Sequence, residues 1–167
     1  MKKLFFALCL LISFSIKAQE TPITAFTEKW ENSKTYLLNI AQLMPEENYD
    51  FRPTEREMSF KEQLLHIQQN INWLGKTYFN AEINTETTKP LSKEELLASI
   101  SNSFDAVNTA VQNTSEENLK NKVDFFAGEK TKLQILNLLQ DHVTHHRGQL
   151  IVYLNLNAIK PPKYVGW

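Results

Sequence analysis

The chain has one cysteine, little glycine and proline, no cluster of basic residues, and no apolar run long enough to cross a membrane comfortably. Each shortage excludes something. Cys9 lies inside the N-terminal apolar run and follows Leu8 rather than a small residue, so it is not read as a lipid-attachment cysteine. The chain beyond that run has no cysteine. It therefore has no disulfide, thiolate nucleophile or thiolate metal ligand, and a metal must be held by nitrogen and oxygen. Only 4 glycines and 6 prolines argue against collagen-like, low-complexity or many-turned β structure. Lys and Arg number 18 against 19 Asp and Glu and are scattered, which suits a nucleic-acid binder poorly. There is no internal repeat, Gly-rich phosphate loop, supported Ser-His-Asp order or paired-carboxylate motif. Metal-activated water or substrate is the chemistry left.

What is there begins with "MKKLFFALCLLISFSIKAQE". A dilysine start, an apolar run from Leu4 to Ile16 and a small residue at Ala18 make the pattern of a secretory signal peptide. The run is shorter than the roughly 20 residues of a membrane span. Residues 1–18 are read as the signal, with an uncleaved anchor as the alternative. Residues 19–167 are read as one exported domain, periplasmic or secreted, with no integral span. Removing Lys2, Lys3 and Lys17 leaves 15 basic against 19 acidic residues, a net charge of −4.

Three stretches place Ser or Thr three residues before Glu or Gln: Ser59–Glu62, Ser92–Glu95 and Thr131–Gln134. Each is a capping box that satisfies two orphan amides at a helix start. "TPIT" adds Thr21 as a cap with Pro22 at the first helical position. The spacing predicts helices over 22–43, 60–79, 93–112 and 132–156, with one helical turn near 115–119 inside a connection. In the second, Phe60, Leu64, Ile67, Ile71, Leu74 and Tyr78 step by three and four. The expected fold is all-α, a four-helix bundle.

Three of the four histidines fall in "DHVTHHRGQL" of the last helix. At about 100° per residue, its apolar stripe is Ile135, Leu139, Val143, Leu150 and Tyr153. His142 and His146 lie within that stripe, one turn apart, while His145 lies nearer its polar edge. Two imidazoles at this spacing can bite one metal ion, or can simply be core residues. His66, at the flank of the second helix's stripe, can complete a three-nitrogen set with open positions.

Nearby residues carry weaker readings. Gln149 can hydrogen-bond a ligand ring or be solvated. Arg147 is read as tied to a carboxylate from another helix, or as an anchor for a substrate anion. Gly148, costly in mid-helix, would be explained by close approach of another helix. Trp30, Trp73 and Trp167 are read as packing residues, with Trp73 also able to wall the site. Glu46, Glu47, Glu55 and Glu57, in the loop before the second helix, are solvated acids or candidate bases.

"SFKEQLLHI", "DHVTHHRGQLIVYL" and "IKPPKY", in that order and spacing, resemble the DinB/YfiT-like family of metalloenzymes. "YDFRPTEREMSF" resembles that family's first loop. The match covers nearly all of 19–167, and His146–Arg147–Gly148–Gln149 with His142 before it is its most specific part. The resemblance implies a DinB-type four-helix bundle whose ligands to a divalent metal are His66, His142 and His146. Three imidazoles suit zinc first, with nickel, iron, manganese or copper as alternatives. The implied function is activation of water or a small nucleophile, as a hydrolase or a thiol transferase, on a small-molecule substrate. Export would take the protein away from reduced cytoplasmic thiols. The alternatives are a non-catalytic metal- or ligand-binding bundle and a plain helical interaction protein. A homodimer is compatible with either. The family often has glycine just after the last helix. Here Asn157 is expected to take the left-handed conformation instead.

Overall fold

A computed structural model describes residues 20–84 and 92–165. The signal-peptide reading of residues 1–18 and the packing reading of Trp167 lie outside the described residues. Four long helices, α1 (Pro22–Leu43), α2 (Phe60–Phe79), α3 (Lys93–Gln112) and α5 (Lys132–Leu156), make up the domain. Their ends are where the capping signals put them. Thr21, Ser59, Ser92 and Thr131 each accept from the backbone N–H three residues on, and each box is closed by the return bond to the cap's own N–H. The predicted turn is the short helix α4 (Glu116–Leu119), capped by Ser115.

The long helices pack in the cyclic order α1, α3, α2, α5, so α2 and α5 are neighbours along one side. The other side is closed by carbon. Trp30 of α1 is fully buried, stacked on Phe26 at 5.2 Å and tilted against Phe104 of α3 at 4.4 Å. Its indole N–H donates to the Phe104 carbonyl at 3.0 Å, which satisfies the one polar atom of the ring. The α1–α2 loop is tied down by bonds to several elements. Tyr49 Oη donates to Ala41 O at 2.9 Å, and Tyr153 Oη of α5 donates to Met58 O at 2.6 Å. Lys93, the first residue of α3, donates Nζ to Gln42 O and Met44 O, both at 2.8 Å, and so covers carbonyls at the end of α1.

Three expectations are corrected. The connection before α5 contains a small antiparallel hairpin, β1 (Lys122–Val123) with β2 (Lys130–Thr131). Its strands are two residues long, too short for any alternation to show. The left-handed residue after α5 is Ala158, at φ 57°, while Asn157 stays at φ −93°. Ile159 N–H donates to Leu154 O and Ala158 N–H to Asn155 O, the two bonds of a Schellman motif with alanine in the glycine position. Close approach of helices occurs at Gly75, not Gly148. A Cβ at Gly75 would lie 2.5 Å from Val107 Cγ2 of α3, whereas at Gly148 it would meet nothing within 4 Å.

Candidate metal centre

His66 projects from α2 toward α5, where His142 and His146 sit one turn apart. Ring centroids are 4.8 Å apart for His66 and His142, 4.6 Å for His66 and His146, and 4.5 Å for His142 and His146. One ring nitrogen from each lies within 4.8 Å of the other two. His145 is exposed and outside this group. The helical period alone had separated it from His146.

The donor set fits a metal. His66 Nε2 and His142 Nε2 stand 3.1 Å apart. Two nitrogens each about 2.0–2.1 Å from one ion at a near-tetrahedral angle would be about 3.3 Å apart. Burial, followed by the charge of neighbouring histidines, lowers the pKa values of His142 and His146 from 6.5 to about 4. Both rings are therefore neutral near pH 7, the state a ligand needs.

A polar network supports His146. Its Nδ1 is 2.6 Å from Gln63 Oε1. Gln63 Nε2 donates to Gln149 Oε1 at 2.6 Å and to Tyr153 Oη at 3.4 Å. Gln149 Nε2 in turn meets His145 Nε2 at 3.0 Å. The short contact to a ligand ring is made by Gln63; Gln149, expected from sequence to bond such a ring, accepts from Gln63 and also interacts with His146 through its side chain. Gln63 was missed. The available signal was a polar residue three before His66, and so beside it on the helix surface. By contrast, His142 Nδ1 is buried with no hydrogen-bond partner among the described residues.

The other residues singled out from sequence fall elsewhere. Arg147 is buried, but its guanidinium lies 5.0 Å over the Tyr36 ring and makes no ion pair with a described carboxylate. The planar, weakly hydrated guanidinium lies over an aromatic face instead. Trp73 is not a core residue. It is 42% exposed and stacks on Phe125 and Phe126 of the hairpin connection at 5.8 and 6.2 Å. Among the described residues, those two are its ring partners.

A cleft of about 440 Å³ opens beside His66, walled by Arg52, Glu55, Arg56, Glu57, Met58 and Gln69. Glu55 and Glu57 are thus the loop acids that line the cleft beside His66. Glu46 instead accepts from Lys93 N–H at 3.1 Å and holds the start of α3. A larger cavity of about 600 Å³ near Phe79, Asn113 and Lys132 contains no histidine. Of the three clustered histidines, His66 lines the smaller one.

The family model of the DinB family matches residues 18–164. The chain belongs to the DinB family. The Bacillus subtilis protein YjoA, itself uncharacterized, is 24% identical over 119 residues, 69% of this chain and 77% of that one. The crystal structure of YjoA as a DinB-like protein superposes with a TM-score of 0.70 at 20% identity, covering 84% of this chain and 96% of that one. A DinB-like protein from Bacillus cereus gives 0.73 at 18% identity, covering 84% and 95%. At these identities the solved structures establish the DinB-like all-α fold. Among the described residues no helix is long and apolar enough to cross a membrane.

Proposed function

We propose that this DinB-family chain is an exported, divalent-metal-dependent enzyme whose ion is held by His66, His142 and His146. The observation that carries the reading is the convergence of three imidazoles from two helices. Three protein ligands leave coordination positions open, as in catalytic rather than structural sites. Zinc is the first choice for three nitrogens, and nickel, iron or manganese remain alternatives. A bound ion would supply Lewis acidity, lowering the pKa of water or polarising a substrate oxygen.

The protein's own residues supply the rest. α2 and α5 fix the three rings, and Gln63 orients one of them. The cleft beside His66 gives a small molecule access, with Glu55 and Glu57 as carboxylates from which a base would come. The exported chain has no thiol of its own, so the nucleophile is water or part of the substrate. Hydrolysis or group transfer to a small acceptor follows as the reaction class.

The test is metal analysis of purified protein beside His66→Ala and His142→Ala, followed by turnover on ester, amide and thiol-acceptor panels. The expected result is near-stoichiometric metal in the wild type, its loss in both variants, and metal-dependent turnover. Undiminished metal in both variants would sink the site. Metal uptake without turnover on any panel would leave the non-catalytic binding module.

A further inference from the structure

We infer that Gln63 is a positioning residue, holding His146 as the tautomer protonated at Nδ1 so that Nε2 keeps its lone pair for the ion. This rests on the metal reading above and adds a residue to it. The direction of the hydrogen bonds follows from a fixed end. A backbone carbonyl only accepts, so Tyr153 Oη must spend its single proton on Met58 O, 2.6 Å away. The phenol oxygen can then only accept from Gln63, which turns the Gln63 amide nitrogen toward Tyr153 and Gln149. The remaining atom, Oε1, is the one 2.6 Å from His146 Nδ1. An amide oxygen cannot donate, so Nδ1 carries the proton.

Gln63 is 2% exposed, so water does not compete for these bonds. The fixed Met58 carbonyl therefore sets the proton position on a ring two side chains away. The same bond ties the site to the loop that walls the cleft. Among metal-bound histidines the group that receives the second ring N–H commonly decides ring orientation and ligand basicity.

Two measurements test this. The first uses the metal-free wild-type protein, uniformly ¹⁵N-labelled, at pH 7. Two-bond ¹H–¹⁵N spectra should show His146 with Nδ1 protonated and Nε2 bare. The opposite tautomer would overturn the inference.

The second measures Co²⁺ affinity from its visible absorption, and Zn²⁺ affinity by chelator competition, for wild type, Gln63→Leu and Gln63→Glu. Gln63→Leu should weaken binding about 10- to 100-fold. Gln63→Glu, whose carboxylate can accept the same Nδ1–H, should restore it. Thermal melts of the metal-free variants separate this from lost folding, because an effect on packing alone would lower both melts and spare affinity. Wild-type affinity in Gln63→Leu, or an equal loss in both variants, would overturn the role of Gln63 alone. A wild-type chain that takes up neither metal would overturn the metal reading itself. If Gln63→Leu does not fold, the tautomer in the wild type and the affinity of Gln63→Glu still decide.

Discussion

α1 meets α3 through Trp30 and Phe104, whose ring centroids are 4.4 Å apart, with one polar atom to satisfy and one carbonyl to satisfy it. α2 meets α5 through Gln63, His66, His142, His146 and Gln149 as well as through leucine and isoleucine. The first seam is what burial of apolar area selects. The second places two ring nitrogens 3.1 Å apart and leaves His142 Nδ1 buried without a partner among the described residues. Buried polar groups of that kind destabilise unless fully satisfied. Apolar packing alone gives no reason for this seam; an ion shared by the rings would account for the close approach of the two Nε2 atoms, though not for His142 Nδ1. The difference separates the part of the bundle that holds the fold from the part that fits a metal.

The largest effect should come from breaking the apolar seam. Trp30→Ala removes a fully buried ring and leaves Phe104 O without its donor. Denaturant unfolding should show a loss of about 3–5 kcal/mol. Metal bound per folded molecule should be unchanged, because no residue of the three-histidine group lies on α1 or α3. A fall in both quantities together would mean that the two seams are not separable.

The polar seam should respond to pH where the apolar one does not. His142 and His146 have folded-state pKa values lowered to about 4 from 6.5. Between those values the unfolded chain binds more protons than the folded one, so stability rises with pH. The stabilisation is complete above about pH 6.5 and is lost as pH falls toward 4. For two partly buried, interacting rings this amounts to about 2–4 kcal/mol. Urea melts of metal-free protein across that window should show the decline, and His142→Ala should flatten part of it. An equally steep decline in His142→Ala would place its cause elsewhere.

The helices were legible in the sequence because their signals are local. Three capping boxes, the Thr21–Pro22 start and apolar stripes of period 3.6 need no knowledge of the neighbour. His142 and His146 were legible for the same reason. His66 was placed only at a flank of its stripe, and the family resemblance carried its assignment. What failed was tertiary. Gln63 is distinguished from Gln69, equally three residues from His66, only by what faces it. Gln68 is also buried but gives its amide to Ser99 on α3, and Gln69 is exposed at the cleft. Arg147 looked as if it needed a carboxylate, yet its guanidinium lies over the face of Tyr36. Trp73 looked like core, but its partners come from a hairpin too short to predict.

Glycine gives a further test of the packing seams. At Gly75 an added methyl would lie 2.5 Å from Val107 Cγ2, between α2 and α3. Gly75→Ala should therefore destabilise by about 1–3 kcal/mol, through overpacking that outweighs alanine's better helix propensity. Val107→Ala made in addition should recover part of the loss. Recovery is the sharper observation, because a purely backbone effect would leave the double variant no better than the single one. A melting temperature unchanged by Gly75→Ala would show that this contact yields.

The smallest effects should come from two positions near the end of α5, where the chain has glycine in a helix interior and alanine in a cap. Gly148 is exposed within the helix, and a Cβ there meets nothing within 4 Å. Alanine should add up to about 1 kcal/mol by reducing backbone freedom in the unfolded chain. Ala158 sits at φ 57° in the position that glycine fills without steric cost. Both cap bonds and the packing of Ile159 survive replacement by glycine. Ala158→Gly should therefore stabilise by about 1 kcal/mol, the relief of the left-handed strain less glycine's greater unfolded-state entropy. The sites are ten residues apart on the helix, roughly 15 Å, so the gains should add in the double variant. Thermal melts check the sum. Metal affinity provides the comparison with the polar seam, because neither side chain bonds to the histidines or to Gln63. Reduced Co²⁺ binding in Gly148→Ala would show that the backbone two residues after His146 must flex for the site to form.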